Sequence, residues 1–229
     1  MQTEILESPD RVAARACELI LAAAAAAIAH RGIFRLVLAG GTTPAACYRL
    51  LAQADAQWRY WHLFFGDERC LDRDDPGRNS GMVATTLSER VAIPRRQVHP
   101  IPAEQGAEAA ARAYEKTIAD QLPFDLVLLG LGEDGHTASL FPGHVHPPDR
   151  LVVPVHGAPK PPPDRVSLTG KALGDCRELM FMVTGSGKQE AVRQWQSGQA
   201  CIASGIRASS TSRLLLDRAA AGSRGTQAQ

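Results

Sequence analysis

At 229 residues the chain can bury a sizeable core, as one large domain or two small ones. Hydrophobic residues make up 45% and charged residues 21%, the composition of a soluble globular enzyme and not of a disordered or fibrous chain. With 25 basic against 24 acidic side chains the formal net charge is +1, so no global field draws the chain to nucleic acid or to an anionic membrane. An anionic ligand must be held by local groups.

The cysteines (Cys17, Cys47, Cys70, Cys176, Cys201) are scattered and form no C-x-x-C pair. That argues against a zinc ribbon, a thioredoxin-type site or a disulfide scaffold, and fits a reducing compartment. The alanine run at 22–27 follows Asp10, Arg11, Arg15 and Glu18 and is closed by His30 and Arg31. It reads as a helix and not as an export or membrane segment, so a cytoplasmic protein is expected.

Ser8-Pro9-Asp10 reads as a helix start, a capping hydroxyl followed by proline in the first turn. Alanine-rich, helix-favouring sequence continues until Gly32 stops it. Residues 33–39 form an apolar run that ends in Gly40-Gly41-Thr42-Thr43-Pro44, and Pro44 is placed to open a second helix carrying Tyr48, Leu50 and Leu51. Strand, turn and helix then recur. Residues 62–65 read as a strand, 81–89 as helix after a charged loop, 103–119 as a long helix, and 125–129 as a buried strand. Later strands are expected at 151–155, 166–168 and 178–183, and a helix at 188–195. Strands that are apolar throughout and alternate with helices predict an α/β fold, with a mostly parallel sheet covered by helices on both faces. The proline-rich stretch 158–163 is short, and strand-like sequence resumes at once, so it is expected to be a rigid loop inside a single domain spanning 1–229. Residues from about 218 to 229 are small and polar and read as a frayed tail.

In an open parallel sheet, ligands bind beyond the carboxyl ends of the strands. Candidate chemistry leaves strands in this way at four places. In the loop after residue 39, Gly40 and Gly41 let backbone approach a ligand, Thr42 and Thr43 add donors, and the following helix start favours an anion. A plain tight turn explains the same residues equally well. It is not a Walker loop, because no lysine follows the glycines at the required spacing. Phe65-Gly66-Asp67-Glu68-Arg69 places charged groups at a sheet edge, where a solvated turn is the competing explanation.

The segment Gly130-Leu131-Gly132-Glu133-Asp134-Gly135-His136-Thr137-Ala138-Ser139-Leu140-Phe141-Pro142-Gly143 contains a literal G-x-G-x-x-G after a strand. A dinucleotide site is nonetheless opposed by its context. The helix after the glycines can run only to about Phe141, and the next strand ends in His156 and not in the acid that binds a ribose. What remains is His136 flanked by Asp134, Thr137 and Ser139. An imidazole titrates near neutrality and can act as a general base on water. A lone loop histidine is more often structural, but these neighbours favour catalysis. Finally, Arg165 at a strand start and Lys188 at a helix start can converge on a phosphate, though each alone also reads as a surface charge.

Taken in order, these segments resemble the 6-phosphogluconolactonase family over about residues 8–217. The motifs concerned are the Gly-Gly-Thr-Thr-Pro loop, Gly66-Asp67-Glu68-Arg69, the run from Gly130 to Pro142, Arg165-Val166-Ser167-Leu168-Thr169, and Val183-Thr184-Gly185-Ser186-Gly187-Lys188. The resemblance implies a Rossmann-like fold shared with glucosamine-6-phosphate deaminases. It also implies a phosphorylated sugar lactone as substrate, 6-phospho-D-glucono-1,5-lactone of the oxidative pentose phosphate pathway, with no cofactor and no metal. Two positions depart from the pattern. Arg78-Asn79 stands where the family usually has Ser-Asn, and Ala39 stands where serine is common.

On this resemblance His136 is the expected general base, with Asp134 or a backbone group orienting its ring. Arg69 is expected at the oxyanion or the sugar hydroxyls, and Asp67 at His136, Arg69 or a substrate hydroxyl. The expected phosphate and substrate ligands are Gly40, Gly41, Thr42, Arg165 and Lys188, with Asn79 supporting the loop. A monomer or small homo-oligomer is expected. The alternatives are a glucosamine-6-phosphate deaminase or isomerase that uses Asp67 as its base, and a sugar-phosphate sensor without turnover. A metal hydrolase built on His144, His146 and His156 lacks a completing carboxylate or cysteine spacing, so a solvated loop is the better reading there.

Overall fold

The computed structural model describes residues 1–145, 147–199 and 201–222. Strand β1 (Gln2–Leu6) leads into helix α1 (Pro9–Arg31), followed by β2 (Phe34–Leu38), α2 (Thr42–Leu51), β3 (Trp61–Phe65) and the short β4 (Asp67–Arg69). Helix α3 (Asn79–Val83) runs into a π-helical turn at Ala84–Ser88, then come β5 (Val98–His99), α4 (Ala107–Ile118) and β6 (Phe124–Leu129). The chain continues through β7 (Val152–Val155), β8 (Arg165–Leu168), α5 (Gly170–Gly174) and β9 (Cys176–Val183). It ends in α6 (Gln189–Gln196), α7 (Ile202–Gly205), β10 (Thr211–Asp217) and α8 (Arg218–Ala221).

Helix α1 begins where the sequence places it. The Ser8 hydroxyl accepts from the backbone N–H of Arg11, Pro9 sits in the first turn, and Gly32 caps the end. Val12, Ala16, Ile20, Ala24 and Ala27 form a buried stripe that packs against α2, β6 and β10. By length and composition alone α1 is apolar enough to cross a membrane, but this stripe is what covers the sheet.

Seven strands form one all-parallel sheet in the order β1-β10-β9-β6-β2-β3-β5. Every residue of β6 is buried, so both faces of the sheet are covered at its centre. From β2 the chain winds outward to β3 and β5, and from β6 it winds the other way to β9 and β10. The boundary between β2 and β6 is therefore the topological switch point, where an open sheet presents a crevice at its carboxyl edge.

Several expectations need correction. The strands expected at 151–155 and 166–168 exist, as β7 and β8, but they leave the main sheet and form a second, antiparallel sheet in the order β4-β8-β7. A parallel return needs a long crossover, usually helical. The stretch between Val155 and Arg165 is proline-rich and non-helical, so the two strands pair antiparallel. The long helix expected at 103–119 breaks at Gly106, whose φ of +84° is left-handed; a 3-10 turn precedes it and α4 follows. No helix forms after Gly130 among the described residues up to 145; the segment is a series of turns with one isolated bridge between Thr137 and Leu140. Helix α2 opens at Thr42, with Pro44 inside its first turn. The tail expected at 218–229 is in part the helix α8, whose first turn is capped by the Asp217 carboxylate and whose Ala220 is buried. Residues 223–229 lie outside the described residues.

At the β3–β5 edge the rings of His62 and His99 stack with centroids 5.5 Å apart, and His99 also stacks on Phe64 at 4.5 Å. Burial, and then the charge of His62, lower the His99 pKa from 6.5 to about 4. A base with a depressed folded-state pKa binds fewer protons when folded than unfolded. Stability is therefore full above 6.5 and is lost as pH falls from 6.5 towards about 4. The melting temperature of wild type is expected to decline across this window, and that of His99→Phe, which keeps the stack, is expected to decline less steeply. Parallel slopes in a pH-dependent melting series would refute this.

Candidate active site

The four central strands deliver the expected segments to one place. A cavity of about 400 Å³ opens beyond the carboxyl ends of β2, β3 and β6, at the switch point. Its wall includes Gly40 and Gly41 after β2, Asp67 and Arg69 after β3, His136 after β6 and Lys188 after β9. Arg165 joins them from the small sheet. A larger cavity of about 750 Å³ lies beside Arg78 and Glu104, but neither His136 nor the strand-end glycines line it. The smaller cavity is the one with the convergent chemistry.

His136 is held from one side. Its Nδ1 lies 2.5 Å from Asp134 Oδ1, and its backbone N–H donates to the same oxygen at 3.2 Å. With Nδ1 protonated to donate to the carboxylate, Nε2 keeps its lone pair. Burial alone would raise the Asp134 pKa, but the bonds from His136 outweigh it and hold the carboxyl below its ordinary value. The Phe141 ring packs beside the imidazole at 4.6 Å. The loop holds Ala138 at φ +50°, a conformation residues with a Cβ rarely adopt; such strain clusters at functional sites.

Gly132 explains why the ring fits. A Cβ there would stand 2.0 Å from His136 Nδ1 and 2.6 Å from Asp134 Oδ1. Gly132→Ala is therefore expected to displace the dyad and lower kcat by about 10²-fold, while the thermal melt stays cooperative. An alanine variant with unchanged kcat would show that the ring position does not matter.

Asp67 is buried and does not touch His136. Its Oδ2 accepts from the Ser139 hydroxyl at 2.6 Å, and its Oδ1 from Asn79 Nδ2 at 3.2 Å. Burial raises its pKa, offset by the Ser139 bond and by the charges of Arg69 and Arg165, while Glu68 adds to the rise. Asn79 in turn crosses over Gly40, where a Cβ would meet its amide oxygen at 2.1 Å. Gly40 thus provides clearance for Asn79 at the floor of the cavity.

Beneath this floor lies a charge cluster that sequence reasoning missed. Glu68 is fully buried and accepts from the backbone N–H groups of Arg69 (2.9 Å), Asn79 (2.7 Å) and Ser80 (2.8 Å). It therefore caps the start of α3, where N–H groups lack helical partners. Arg78 packs its Nε 3.4 Å from Glu68 Oε2, and its other nitrogens donate to Glu104 Oε2 and the Ile101 carbonyl. The arginine that replaces the family's serine is thus a buried structural cation and lies outside the cavity wall. The other departure, Ala39, exchanges backbone hydrogen bonds with the Tyr48 hydroxyl.

The cations are placed unequally. The Arg69 Nη1 donates a short bond to the Gly77 carbonyl, and its Nε is buried without a hydrogen-bond partner among the described residues. Arg165 is buried over the Phe141 ring, 5.6 Å from its centroid. Its Nε donates to the Pro162 carbonyl, and its Nη2 to the carbonyls of Lys160 and Pro161. Burial lowers the pKa of Lys188, and the charge of Lys160 adds to that, against Glu133 and Asp134. Thr42 does not line this cavity; it lines an adjoining one that shares Gly41, Arg69 and Asn79. Thr43 instead bonds Thr184 at 2.6 Å, tying the loop after β2 to the loop after β9.

The remaining candidates fall elsewhere. His156 pairs with Asp164 at 2.8 Å, His144 packs edge-on against Phe141 at 5.7 Å, and His146 lies outside the described residues. Burial, with Asp164 adding, pushes the Cys70 thiol up to about 11 despite the charge of Arg78. That removes the reactive thiolate.

Comparison with known proteins gives the family and the fold. The profile of the family described as glucosamine-6-phosphate isomerases/6-phosphogluconolactonase matches residues 7–213. The chain is 42% identical over 208 residues to a 6-phosphogluconolactonase of Mycobacterium tuberculosis, covering 82% of this chain and 83% of that one. The crystal structure of 6-phosphogluconolactonase from Thermotoga maritima superposes with a TM-score of 0.88 at 28% identity, covering 94% of this chain and 99% of the other. A monomeric glucosamine-6-phosphate deaminase shares the fold at a TM-score of 0.85, with 22% identity over 98% of this chain and 100% of its own. The relatives make this protein an enzyme that acts as a lactonase, a hydrolase. The chain belongs to the family of glucosamine-6-phosphate isomerases and 6-phosphogluconolactonases.

Proposed function

We propose that the enzyme hydrolyses 6-phospho-D-glucono-1,5-lactone to 6-phospho-D-gluconate, in the oxidative pentose phosphate pathway of the cytoplasm, with His136 as general base. The observation that carries this reading is His136, bonded to Asp134, on the wall of a cavity that also presents Arg165 and Lys188. Asp134 fixes the tautomer, so Nε2 takes a proton from water as its oxygen bonds to the lactone carbonyl carbon. Arg69 and the strand-end amides stabilise the resulting oxyanion. The tetrahedral carbon then expels the ring oxygen, which takes the proton from His136, leaving a carboxylic acid that ionises. Arg165 and Lys188, with the Gly40-Gly41 backbone, hold the phosphate, and Thr42 stays in the adjoining cavity. Asp67 accepts from a sugar hydroxyl, and Asn79 fixes Asp67. These steps use only side chains and water.

The deaminase alternative assigns the base to Asp67, whose carboxylate is held by Ser139 and Asn79 and keeps a free lone pair on each oxygen. Two substrates decide between the readings. The lactone, generated in situ from glucose 6-phosphate by its dehydrogenase, should disappear faster with the enzyme than without, and glucosamine 6-phosphate should release no ammonia. Ammonia release without lactone hydrolysis would establish the alternative. Binding of 6-phosphogluconate without turnover of either would establish the sensor.

A further inference from the structure

We propose that Lys160, on the proline-rich loop between β7 and β8, is a specificity-determining residue that binds the phosphate dianion of the substrate, and that Arg165 is the clamp that places it. The proposal rests on the sugar-phosphate reading above. Lys160 lines the same cavity as Lys188, Arg165, Gly40 and Gly41. Its ammonium forms no ion pair among the described residues.

The loop that carries Lys160 has a fixed path for a physical reason. Three consecutive carbonyls, of Lys160, Pro161 and Pro162, converge on the Arg165 guanidinium at 2.8, 3.3 and 3.2 Å. Backbone bonds from Ala158 N–H to the Pro163 carbonyl and from Cys70 N–H to the Asp164 carbonyl close the loop's base. A forked guanidinium can hold adjacent acceptors in one plane, which an ammonium cannot. Arg165 thus spends Nε and Nη2 on the loop, and Nη1 remains for the substrate.

The resulting cavity is lined by Lys160, Lys188 and Arg165. Burial lowers the pKa of Lys188, and the like charge of Lys160 adds to that against Glu133 and Asp134. A dianion relieves the repulsion, and a neutral hydroxymethyl group does not, so the three cations favour the phosphorylated over the unphosphorylated lactone.

The test compares the phosphorylated lactone with glucono-1,5-lactone as substrates for wild type, Lys160→Met and Lys160→Arg. Lys160 is exposed, so both variants should fold. In Lys160→Met the ratio of kcat/KM for the two substrates is expected to fall about tenfold, carried by KM for the phosphorylated one; Lys160→Arg should restore most of it. The clamp is tested by Arg165→Lys, which keeps the charge. It should raise KM for the phosphorylated lactone, and replacing Lys160 by Met in that background should cost less than it does in wild type. An unchanged ratio in Lys160→Met overturns the role of Lys160, and additive effects overturn the clamp. If wild type accelerates hydrolysis of neither lactone, the sugar-phosphate reading itself has failed. Calorimetric titration of the wild type with 6-phosphogluconate then distinguishes a binding site from none.

Discussion

Glu68→Ala should destabilise the fold by about 3–5 kcal/mol, because it strips three backbone N–H groups of their shared acceptor and takes from buried Arg78 one of its two carboxylates. Glu68 is fully buried; its carboxylate meets N–H groups of Arg69, Asn79 and Ser80, and the Arg78 Nε. Removal leaves those donors without an acceptor and leaves Arg78 facing only Glu104 and the Ile101 carbonyl. For a domain of this size such a loss corresponds to a melting temperature lower by roughly 10 °C. In the double variant Glu68→Ala, Arg78→Met the two losses should be less than additive, because the two side chains share a contact. The effect also reaches the site, because Asn79 hangs from Glu68 through its N–H and holds Asp67 through its amide. A single variant that melts within about 1 °C of wild type would mean the cluster contributes no more than an exposed pair does.

The second large effect is on turnover. His136→Gln should lower kcat for lactone hydrolysis by about 10²–10⁴-fold, the usual contribution of a positioned general base. Glutamine can still hydrogen-bond but cannot take a proton at neutral pH, so a mere loss of packing against Phe141 would not imitate it. KM should change little, because the proposed phosphate ligands, Arg165 and Lys188, lie on other elements. Since the base acts in the transition state only, the loss should fall equally on kcat and kcat/KM.

Which parts of this were visible in the chain beforehand follows from the range of the forces involved. Helix α1 was legible because its signals are local: Ser8 and Pro9 at one end, Gly32 at the other. The buried strand β6 was legible because the run from Leu126 to Leu129 has no polar residue to give water. Strands β1 and β10 at one edge of the sheet were missed. Their exposure pattern is mixed, as at Gln2, Thr3 and Arg213, and only the pairing with each other and with β9 defines them. The separate antiparallel sheet could not be read from strand sequences, since its partner β4 is only Asp67–Arg69. A charged tripeptide becomes a strand there because Arg165–Leu168 lies alongside it.

At the site the residues were legible and their partners were not. Asp134 and His136 are two positions apart, so their contact is close to a sequence property. Asp67 and Ser139 stand 72 positions apart, and nothing local announces that they bond. Glu68 looked like one charge among three until α3 folded over it. Lys160 was visible only as a cation in a proline-rich loop. Its place on the cavity wall depends on the Arg165 fork.

The central claim, that His136 activates water against a phosphorylated lactone, is tested most directly by following loss of 6-phosphogluconolactone generated in situ, with wild type and with His136→Gln at equal concentration and matched thermal stability. Wild type should accelerate the loss well above the spontaneous rate, and the variant should lose nearly all of that gain. A variant as fast as wild type would contradict the base assignment, and a wild type no faster than buffer would contradict the proposed reaction.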